Sequence, residues 1–450
     1  MNIYQDVLFR GLDVLRGRHN VERTRFLRKS QYWSADQLAA WQLERLNALL
    51  AQARDNSPFF AQRLASVRLP MTDVAGLADL PVLTKADIRA HRERIRTTNL
   101  AAHRYVLNRT GGSTGEPIHY YWDKNGQDWN RGSVYRSGEW AGLALGDRAI
   151  NMSGAVIDAS ESERWSHRAA NWILRHRDCP VAAVTNSDLV DYHRTLMRFR
   201  PASIWGYASA IDAFAAHIER TGSAGGYHFL RALVTSSETL RPEQRERIER
   251  VFGTGKVFDH YGSREVYLAA ECAAHDGYHV HAEVLIVEVV GPDDRPCAPG
   301  QLGRVLVTDL SNHAFPFIRY EIGDLAVAAP PTPCACGVTL PRLTRVEGRV
   351  GDLVVLPDRI LTVPNFCTLF STFADGIDAF QVQQDSLDGF RVLLKTGTGY
   401  TEAIEQRLRE ALAELGGNAQ VEISTDQPIP VSESGKRRFV ISGVDLDRVA

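Results

Sequence analysis

The chain lacks any apolar run that approaches the roughly 20 residues a helix needs to cross a bilayer. It also lacks an excess of charge of one sign, because 52 Lys and Arg residues nearly balance 54 Asp and Glu residues. This balance gives no support for nucleic-acid binding or for polybasic attachment to a membrane. No internal repeat or low-complexity segment occurs. We therefore expect 450 residues of globular protein in two or three domains.

Cysteine is scarce, with six in the whole chain. The first 18 residues lack the continuous apolar region and the small-residue cleavage site of a secretory signal. We therefore expect a cytoplasmic protein without disulfides. We expect this segment to form a helix packed on its own domain. A helix that lies on a membrane surface is the alternative.

Glycine is concentrated in residues 109–117, which read Arg-Thr-Gly-Gly-Ser-Thr-Gly-Glu-Pro. The segment lacks the Gly-Lys-Ser/Thr of a Walker A loop, which argues against a phosphate-loop NTPase. Its glycines let the backbone approach a ligand closely, and its N–H and hydroxyl groups suit a polyphosphate. The flanks are rich in β-branched and aromatic residues, so we predict strand–loop–strand. The alternative is an ordinary glycine-rich hairpin turn.

Hydrophobic periodicity predicts an α/β fold. Ser34 followed by Gln37 is a capping-box pattern at the start of a long helix, and Thr84 is predicted to cap a short one. Apolar runs separated by helical patterns favour a largely parallel sheet. These predicted strands cover residues 149–152, 181–184, 203–207, 230–234 and 257–262.

From residue 284 the pattern becomes predominantly β, with predicted strands at 284–290, 304–309 and 325–329. A hairpin is expected at 353–363. A helix from about Thr401 should end at Gly416-Gly417, where glycine is the usual terminator. The last hundred residues therefore read as a small separate α+β domain.

The order of the motifs resembles the adenylate-forming superfamily, and within it the phenylacetate–CoA ligase branch with its capsule-biosynthesis relatives. Trp33 and residues 42–46, 57–60 and 80–85 match the N-terminal pattern of this branch. The resemblance implies a large multi-sheet α/β domain over residues 1–347, with the ATP and acyl pockets. It further implies a hinge at 348–352 and a small mobile α+β domain over 353–450 that carries a catalytic lysine.

The same resemblance implies that the glycine-rich loop binds the phosphates of ATP. The family usually has a lysine where Glu116 stands or just after Pro117, so one phosphate contact is weakened here. The loop residues that match the family are Thr110, Gly111, Gly112, Ser113, Thr114 and Gly115.

Residues 261–265, Tyr-Gly-Ser-Arg-Glu, resemble a motif whose tyrosine lies against the adenine and whose glutamate holds Mg²⁺. One carboxylate together with substrate phosphates is a usual way to hold magnesium. On residue type alone, Glu265 would be a solvated surface acid. Arg264 stands where many relatives have threonine. The nucleotide contacts implied here are Tyr261, Gly262 and Ser263, together with Ser237 and Glu238 after an earlier strand.

Three further motifs follow toward the C-terminus. Residues 319–324 resemble the motif whose aspartate, here Asp324, accepts hydrogen bonds from both ribose hydroxyls; a turn residue is the alternative. Residues 348–352 resemble the hinge, where Arg349 is an implied cofactor contact and Gly351 permits rotation. Residues 434–439 resemble the motif whose lysine, here Lys436, stabilises charge on the transferring phosphoryl group. The alternative is a solvated loop charge.

Four side chains have the types and spacing of a structural zinc site: Cys272, His279, Cys334 and Cys336. His275 and His281 compete with His279 for the fourth position. The alternative is that the cysteines are reduced and buried as small apolar residues.

The resemblance implies activation of a carboxylic acid by ATP and Mg²⁺ to an acyl-adenylate, with release of pyrophosphate. The acyl group then passes to an acceptor, with the thiol of CoA favoured over an amine or amino acid. A non-catalytic nucleotide-binding scaffold is the competing class, against which the joint presence of Lys436, Glu265 and Asp324 argues. Trp205, Gly206 and Tyr207 are expected in the acyl pocket or in the core. Neither the acid nor the oligomeric state, a dimer being one candidate, follows from the sequence.

Overall fold

The computed structural model describes residues 9–109, 118–153, 171–181, 186–222, 225–349, 354–357, 359–361, 365–366, 369–370, 372–373, 376–430 and 439–444. Helices are numbered in chain order: α1 (Arg10–Arg16), α2 (Asn20–Ser30), α3 (Ala35–Asn56), α4 (Pro58–Arg63), α5 (Lys85–Ile95), α6 (Lys124–Trp140), α7 (Asn186–Phe199), α8 (Ala208–Arg220), α9 (Pro242–Phe252) and α10 (Glu402–Gly416). Short 3₁₀ helices cover Val74–Asp79 and Leu100–His103.

The strands are likewise numbered in chain order: β1 (Tyr105–Arg109), β2 (His119–Asp123), β3 (Ala149–Met152), β4 (His176–Asp178), β5 (Ser203–Tyr207), β6 (Ala232–Ser236), β7 (Val257–Gly262), β8 (Tyr267–Glu271), β9 (Tyr278–Val280), β10 (Leu285–Val290), β11 (Leu302–Asp309), β12 (Tyr320–Ala328), β13 (Arg342–Arg349), β14 (Val354–Leu356), β15 (Arg359–Leu361), β16 (Ile377–Ser386), β17 (Gly389–Thr396), β18 (Gln420–Ser424) and β19 (Val440–Ser442). No helix within the described residues is both long enough and apolar enough to cross a membrane.

Side-chain caps fix where α3 and α5 begin. The Gln37 backbone N–H donates to Ser34 Oγ at 3.2 Å, and Gln37 Oε1 accepts from the Ser34 N–H at 3.0 Å, which is a complete capping box. Thr84 and Asp87 form the same arrangement at the start of α5. Both predicted helix starts are therefore confirmed.

Eleven described strands form one sheet in the order β10-β11-β12-β13-β9-β8-β7-β6-β5-β3-β4. Strands β4, β3, β5, β6 and β7 pair in parallel, whereas β7 pairs with β8 and β8 with β9 in antiparallel fashion. The predicted parallel arrangement is thus present in one half of the sheet. Because parallel strands end at the same edge, the residues that follow β5, β6 and β7 meet there.

Two strand predictions differ from the structure. Strand β6 begins at Ala232, two residues later than predicted. The parallel neighbour of β3 is β4, His-Arg-Asp, which has no apolar residue and gave no signal. Val181 lies outside a strand, and residues 182–185 of that prediction lie outside the described residues.

The chain forms two compact units. One comprises Met1–Ile322 and Ala326–Val346, and the other comprises Gly323–Leu325 and Glu347–Ala450. The second unit contains the hairpin β14–β15 and a four-stranded sheet in the order β18-β17-β16-β19. Its core has its own apolar cluster around Phe366, in which α10 buries Leu408 and Leu412. The predicted fold class, a large α/β domain with a smaller α+β domain after it, is confirmed.

A fully buried ion pair fixes α6 on the large unit. Arg136 Nη1 lies 2.8 Å from Glu283 Oε1, and both side chains are 0% exposed. Ser30 at the end of α2 donates to the same carboxylate at 2.7 Å, and Arg136 Nη2 lies 2.8 Å from His281 Nδ1. One guanidinium thereby joins α2, α6 and the segment between β9 and β10.

We predict that Arg136→Met destabilises the large unit by about 3–5 kcal/mol, because it leaves the Glu283 carboxylate buried without its cation. Urea unfolding followed by tryptophan fluorescence measures the change. Arg54→Met, at an exposed arginine 3.1 Å from Asp55 in the same unit, is the control and should cost less than about 1 kcal/mol. A loss of that small size in Arg136→Met would show that the ion pair is not a structural requirement.

Candidate functional site

The glycine-rich loop and the C-terminal lysine lie outside the described residues, and the positions concerned are Thr110, Gly111, Gly112, Ser113, Thr114, Gly115 and Lys436. The strands that flank the loop are described. Strands β1 and β2 pair in antiparallel fashion from Tyr105↔Asp123 to Arg109↔His119. The strand–loop–strand prediction is therefore confirmed for its two strands.

The motif at residues 261–265 forms the tight connection between β7 and β8. The Ser263 N–H donates to the Val266 carbonyl at 2.8 Å, while Ser263 Oγ accepts from the Glu265 N–H at 3.2 Å. A Cβ on Gly262 would come within 3.2 Å of the Val266 carbonyl oxygen, so a side chain there would crowd the turn. Ser263 and Gly262 thus hold the turn that places Glu265.

Glu265 is buried, with 5% of the residue exposed, so the interpretation as a solvated surface acid is wrong. Tyr320 donates its hydroxyl to Glu265 Oε1 at 3.1 Å, and Tyr120 donates to the neighbouring Arg264 carbonyl at 2.5 Å. Burial, followed by the charge of Glu265, raises the pKa of Tyr120 far above its usual range, which keeps this phenol a donor. No ion pair of the Glu265 carboxylate is found among the described residues.

A second acid, Asp309 at the end of β11, lines the same small interior cavity as Glu265, together with Asn130 of α6. Burial raises the pKa of Asp309 to about 6, against the opposing effect of hydrogen bonds from Ser311. The Ser311 N–H and Oγ donate to Asp309 Oδ1 at 2.8 and 2.6 Å. The sequence carried no signal for Asp309, because only folding brings β11 beside Glu265.

Ser237 and Glu238 follow β6 at the edge where the parallel strands end. Ser237 has φ 67°, a left-handed conformation that is uncommon for a residue with a side chain. The Ser209 N–H in the first turn of α8 donates to Glu238 Oε2 at 2.9 Å. The Glu238 side chain therefore caps a helix, which leaves its backbone as the part that can contact a nucleotide.

Side chains of β5 and β7 form a partly buried aromatic cluster across β6. Trp205 and His260 pack edge to face with ring centroids 5.2 Å apart, and His260 Nδ1 contacts the Tyr267 hydroxyl. Burial lowers the pKa of His260 to about 3, so the imidazole is neutral. A Cβ on Gly206 would lie 2.3 Å from the Met152 carbonyl oxygen, so glycine is needed for β5 to approach β3.

Two residues predicted to contact the nucleotide, Asp324 and Arg349, lie in the second unit or at its boundary with the first in sequence. Asp324 lies inside β12 and is 9% exposed, so the alternative of a turn residue is wrong. It falls in the Gly323–Leu325 segment that clusters with the second unit. Arg349 is the last residue of β13, and its side chain is outside what the structure describes.

The predicted cysteine–histidine set comes together in the large unit. The four ligand atoms, from Cys272, His279, Cys334 and Cys336, all lie within 4.8 Å of one another. The sulfurs of Cys272 and Cys334 are 3.7 Å apart, close to the roughly 3.8 Å separation of two thiolates on one tetrahedral zinc. Cys336 Sγ lies 3.2 Å from His279 Nε2.

The surroundings select His279 over the two competing histidines. His279 Nδ1 lies 3.4 Å from the Leu340 carbonyl, which directs Nε2 toward the sulfurs. His275 Nδ1 lies 3.5 Å from Glu271, and His281 contacts Arg136. Burial raises the pKa of the Cys272 thiol, and a bound metal cation would favour its thiolate form.

Comparison with known proteins finds relatives over most of the chain. Phenylacetate-coenzyme A ligase from Pseudomonas putida is 27% identical over 331 residues, covering 72% of this chain and 73% of the relative. The CapK C-terminal domain family matches residues 357–443. The chain is similar to phenylacetate–CoA ligases over most of its length, and its C-terminal part matches the CapK family. The resemblance identified from the sequence is thereby confirmed.

Solved structures of adenylate-forming enzymes share the fold. A 2-hydroxyisobutyryl-CoA ligase in the postadenylation state, in complex with R3-HIB-AMP, matches with a TM-score of 0.73 at 19% identity over 93% of each chain. The same ligase in complex with 2-HIB-AMP and CoA, in the thioesterification state, matches with a TM-score of 0.60 at 20% identity, again over 93% of each chain.

Proposed function

We propose that the protein is an AMP-forming acid–thiol ligase that works in two steps. First, a carboxylate oxygen of the acid attacks the α-phosphorus of ATP, and the bond to pyrophosphate breaks. Second, the sulfur of CoA attacks the acyl carbon, the bond to AMP breaks, and the thiol proton is released. Homology to phenylacetate–CoA ligases over 72% of the chain supports this choice of reaction.

The buried Glu265 carboxylate is the observation that carries the proposal. A buried charge without a cationic side chain is costly, unless a cation arrives with the substrate. Glu265 and the phosphates of ATP would together hold Mg²⁺, which supplies positive charge for the departing pyrophosphate. Tyr320 fixes the carboxylate orientation by donating to Oε1.

The remaining nucleotide contacts are assigned from the motifs. Tyr261 would lie against the adenine, with Ser237, Glu238, Gly262 and Ser263 around it at the end of β6 and in the β7–β8 turn. Asp324 would accept from the ribose hydroxyls, because an ionised carboxylate offers only acceptors. The phosphates would be bound by the loop residues Thr110, Gly111, Gly112, Ser113, Thr114 and Gly115, with Arg349 as a further contact near the hinge.

The acid would enter beside the cluster of Trp205 and His260. Aromatic walls with a few polar groups are the usual composition of a small-molecule pocket. Lys436 would reach the α-phosphate only when the C-terminal domain, 353–450, takes one orientation about the hinge at 348–352. A second orientation would withdraw it for the thiol step.

Zinc would fill the cysteine–histidine cluster. Four protein ligands close the coordination sphere, so the role would be structural. The cluster joins the loop after β8, strand β9 and the segment between β12 and β13. It would therefore cross-link the segments around the neighbouring strands β12, β13, β9 and β8 and take no part in the reaction.

The most direct activity test is pyrophosphate release over a panel of carboxylic acids, with and without CoA. The proposal expects release that depends on one class of acid, and a thioester with CoA. Amide formation with supplied amines but no thioester would assign the alternative acceptor. No pyrophosphate release with any acid of a broad panel would favour a nucleotide-binding scaffold.

Lys436→Ala should slow adenylation on the order of 10²–10³-fold, as does loss of one preorganised donor to a developing charge. The second step, started from preformed acyl-adenylate and CoA, should proceed at a near-normal rate, because the lysine is by then withdrawn. Single-turnover assays of both steps on the same variant make the comparison. Equal losses in both steps would contradict a rotating domain, and no loss in either would make Lys436 a solvated loop charge.

Glu265→Gln keeps the shape of the side chain and removes its charge. We expect a higher Mg²⁺ requirement and slower adenylation with an unchanged fold, measured as ATP–pyrophosphate exchange against Mg²⁺ concentration. Glu219→Gln is the matched control, because that carboxylate pairs with Arg250 at 3.1 Å and is not assigned to the site. Unchanged exchange at limiting Mg²⁺ would show that Glu265 does not hold it.

Purified protein should contain about one Zn²⁺ per chain, and Cys334→Ser should lose it and unfold more readily, because metal-binding free energy is folding free energy. Elemental analysis and thermal unfolding measure the two effects. Cys179→Ser, at a buried cysteine outside the cluster, is the control and should retain the metal. Protein free of zinc after chelator-free preparation would refute the assignment.

A further inference from the structure

One ring nitrogen of a buried histidine beside the place proposed for the acid lacks a hydrogen bond within the described residues. His260 is 3% exposed, and the atom concerned is its Nε2. The Trp205 ring packs against this imidazole, but the indole N–H already donates to Ser203 Oγ at 3.0 Å. A buried polar atom without a hydrogen bond costs free energy, which a ligand that supplies the bond would recover.

His260 lies where a ligand can reach it. It is near the end of β7, and its register partner is Ser236 at the end of the parallel strand β6. Ligands of open α/β sheets bind beyond the carboxyl ends of such strands. Trp205, which packs on His260, is half-buried, so the histidine is one side chain away from the surface.

The protonation state of the imidazole determines what its nitrogens can do. Burial lowers the pKa of His260 to about 3, so the ring is neutral and has one N–H and one lone pair. Its Nδ1 atom contacts the hydroxyl of Tyr267. Burial raises the pKa of Tyr267 far above its usual range, which keeps the phenol protonated. Each side chain of this pair therefore has one hydrogen to donate.

Ser137 of α6 sets the direction of these hydrogen bonds. Its Oγ atom lies 3.0 Å from the Ser133 carbonyl and 3.1 Å from the Val134 carbonyl, and a helical serine donates to carbonyls in these positions. The oxygen of Ser137 then accepts from the Tyr267 hydroxyl, 2.9 Å away. Tyr267 in turn accepts from the Nδ1–H of His260. The lone pair of the imidazole is therefore on Nε2, which needs a donor.

We propose that His260 Nε2 accepts a hydrogen bond from the acyl part of the substrate, so that the enzyme selects carboxylic acids that carry a hydroxyl group. The inference rests on the proposed function and narrows its class of substrate. An acid without the hydroxyl would leave Nε2 buried and unbonded, and a site of this kind discriminates strongly against such an analogue. The Trp205 ring would pack against the apolar part of the acid.

The test uses pairs of aliphatic and aryl acids whose members differ only in a hydroxyl group replaced by hydrogen. Two quantities are measured on the full-length protein: kcat/KM for pyrophosphate release, and Kd by calorimetry with a non-cleavable ATP analogue present. For the wild type we expect at least one hydroxy acid to be favoured about tenfold or more over its partner in both quantities. One buried hydrogen bond accounts for a preference of this size.

Three variants separate the role of Nε2 from that of the rest of the ring. His260→Asn keeps an N–H close to the position of Nδ1 for Tyr267 and has no atom at the position of Nε2, so the preference should disappear. His260→Gln places its amide near the position of Nε2 and should retain part of the preference. His193→Asn is the matched control, because His193 Nε2 lies 3.0 Å from the Tyr227 hydroxyl, outside the proposed site, and should leave the preference unchanged.

Two results would overturn the inference. Equal Kd values for the members of every pair, or binding of neither member, would leave an internal water as the partner of Nε2. A preference that survives in His260→Asn would place the hydroxyl elsewhere in the site. Because Kd needs no turnover, the reaction is judged separately. Selective binding of a hydroxy acid without pyrophosphate release would refute the reaction alone, whereas pyrophosphate release without selectivity would refute the inference alone.

Discussion

The position of α6 depends on the buried pair of Arg136 and Glu283, and much of the candidate site depends on α6. A fully desolvated ion pair contributes little net stability, but it tolerates only one geometry. Once α6 is fixed, Ser137 lies 2.9 Å from the Tyr267 hydroxyl, and Trp140 packs on His279 and His281. The same helix therefore contacts both Tyr267, beside the place proposed for the acid, and the cysteine–histidine cluster. A shift of this one helix would disturb both.

The parallel half of the sheet explains why distant motifs converge. Strands β5, β6 and β7 end at one edge, with Tyr207 paired with Ser236 and Ser236 with His260. Backbone N–H groups, aromatic rings and a carboxylate are thereby brought together without long side chains. Glu265 lies just beyond this edge, buried and without a cationic partner among the described residues. This carboxylate is therefore the one that the proposal assigns to Mg²⁺.

Elements whose structure is decided by local chemistry could be predicted from the sequence. The Ser34 and Thr84 caps need only residues three positions away, and the strands around the glycine-rich loop follow from their own composition. The four side chains predicted to bind zinc do lie together, and they could be named because few other side chains bind zinc at such spacing. Strand β4 was missed because its residues are polar and pairing with β3 alone makes it a strand.

The contacts that orient the site could not be predicted from the sequence. Tyr320 is 55 residues from Glu265, and Tyr120 is 144 residues from Arg264, so no spacing rule connects them. The capping of α8 by Glu238 also depends on tertiary contact, and it changes what that residue can offer a nucleotide.

The central claim is that a carboxylate oxygen attacks the α-phosphorus of ATP. Isotope transfer tests this most directly. The accepted acid is labelled with ¹⁸O in its carboxyl group, and the products formed with ATP and CoA are analysed by mass spectrometry and ³¹P NMR. The account predicts one ¹⁸O atom in each AMP formed, unlabelled pyrophosphate and one ¹⁸O retained in the thioester. Label in inorganic phosphate with ADP as the nucleotide product, or AMP without label, would contradict it.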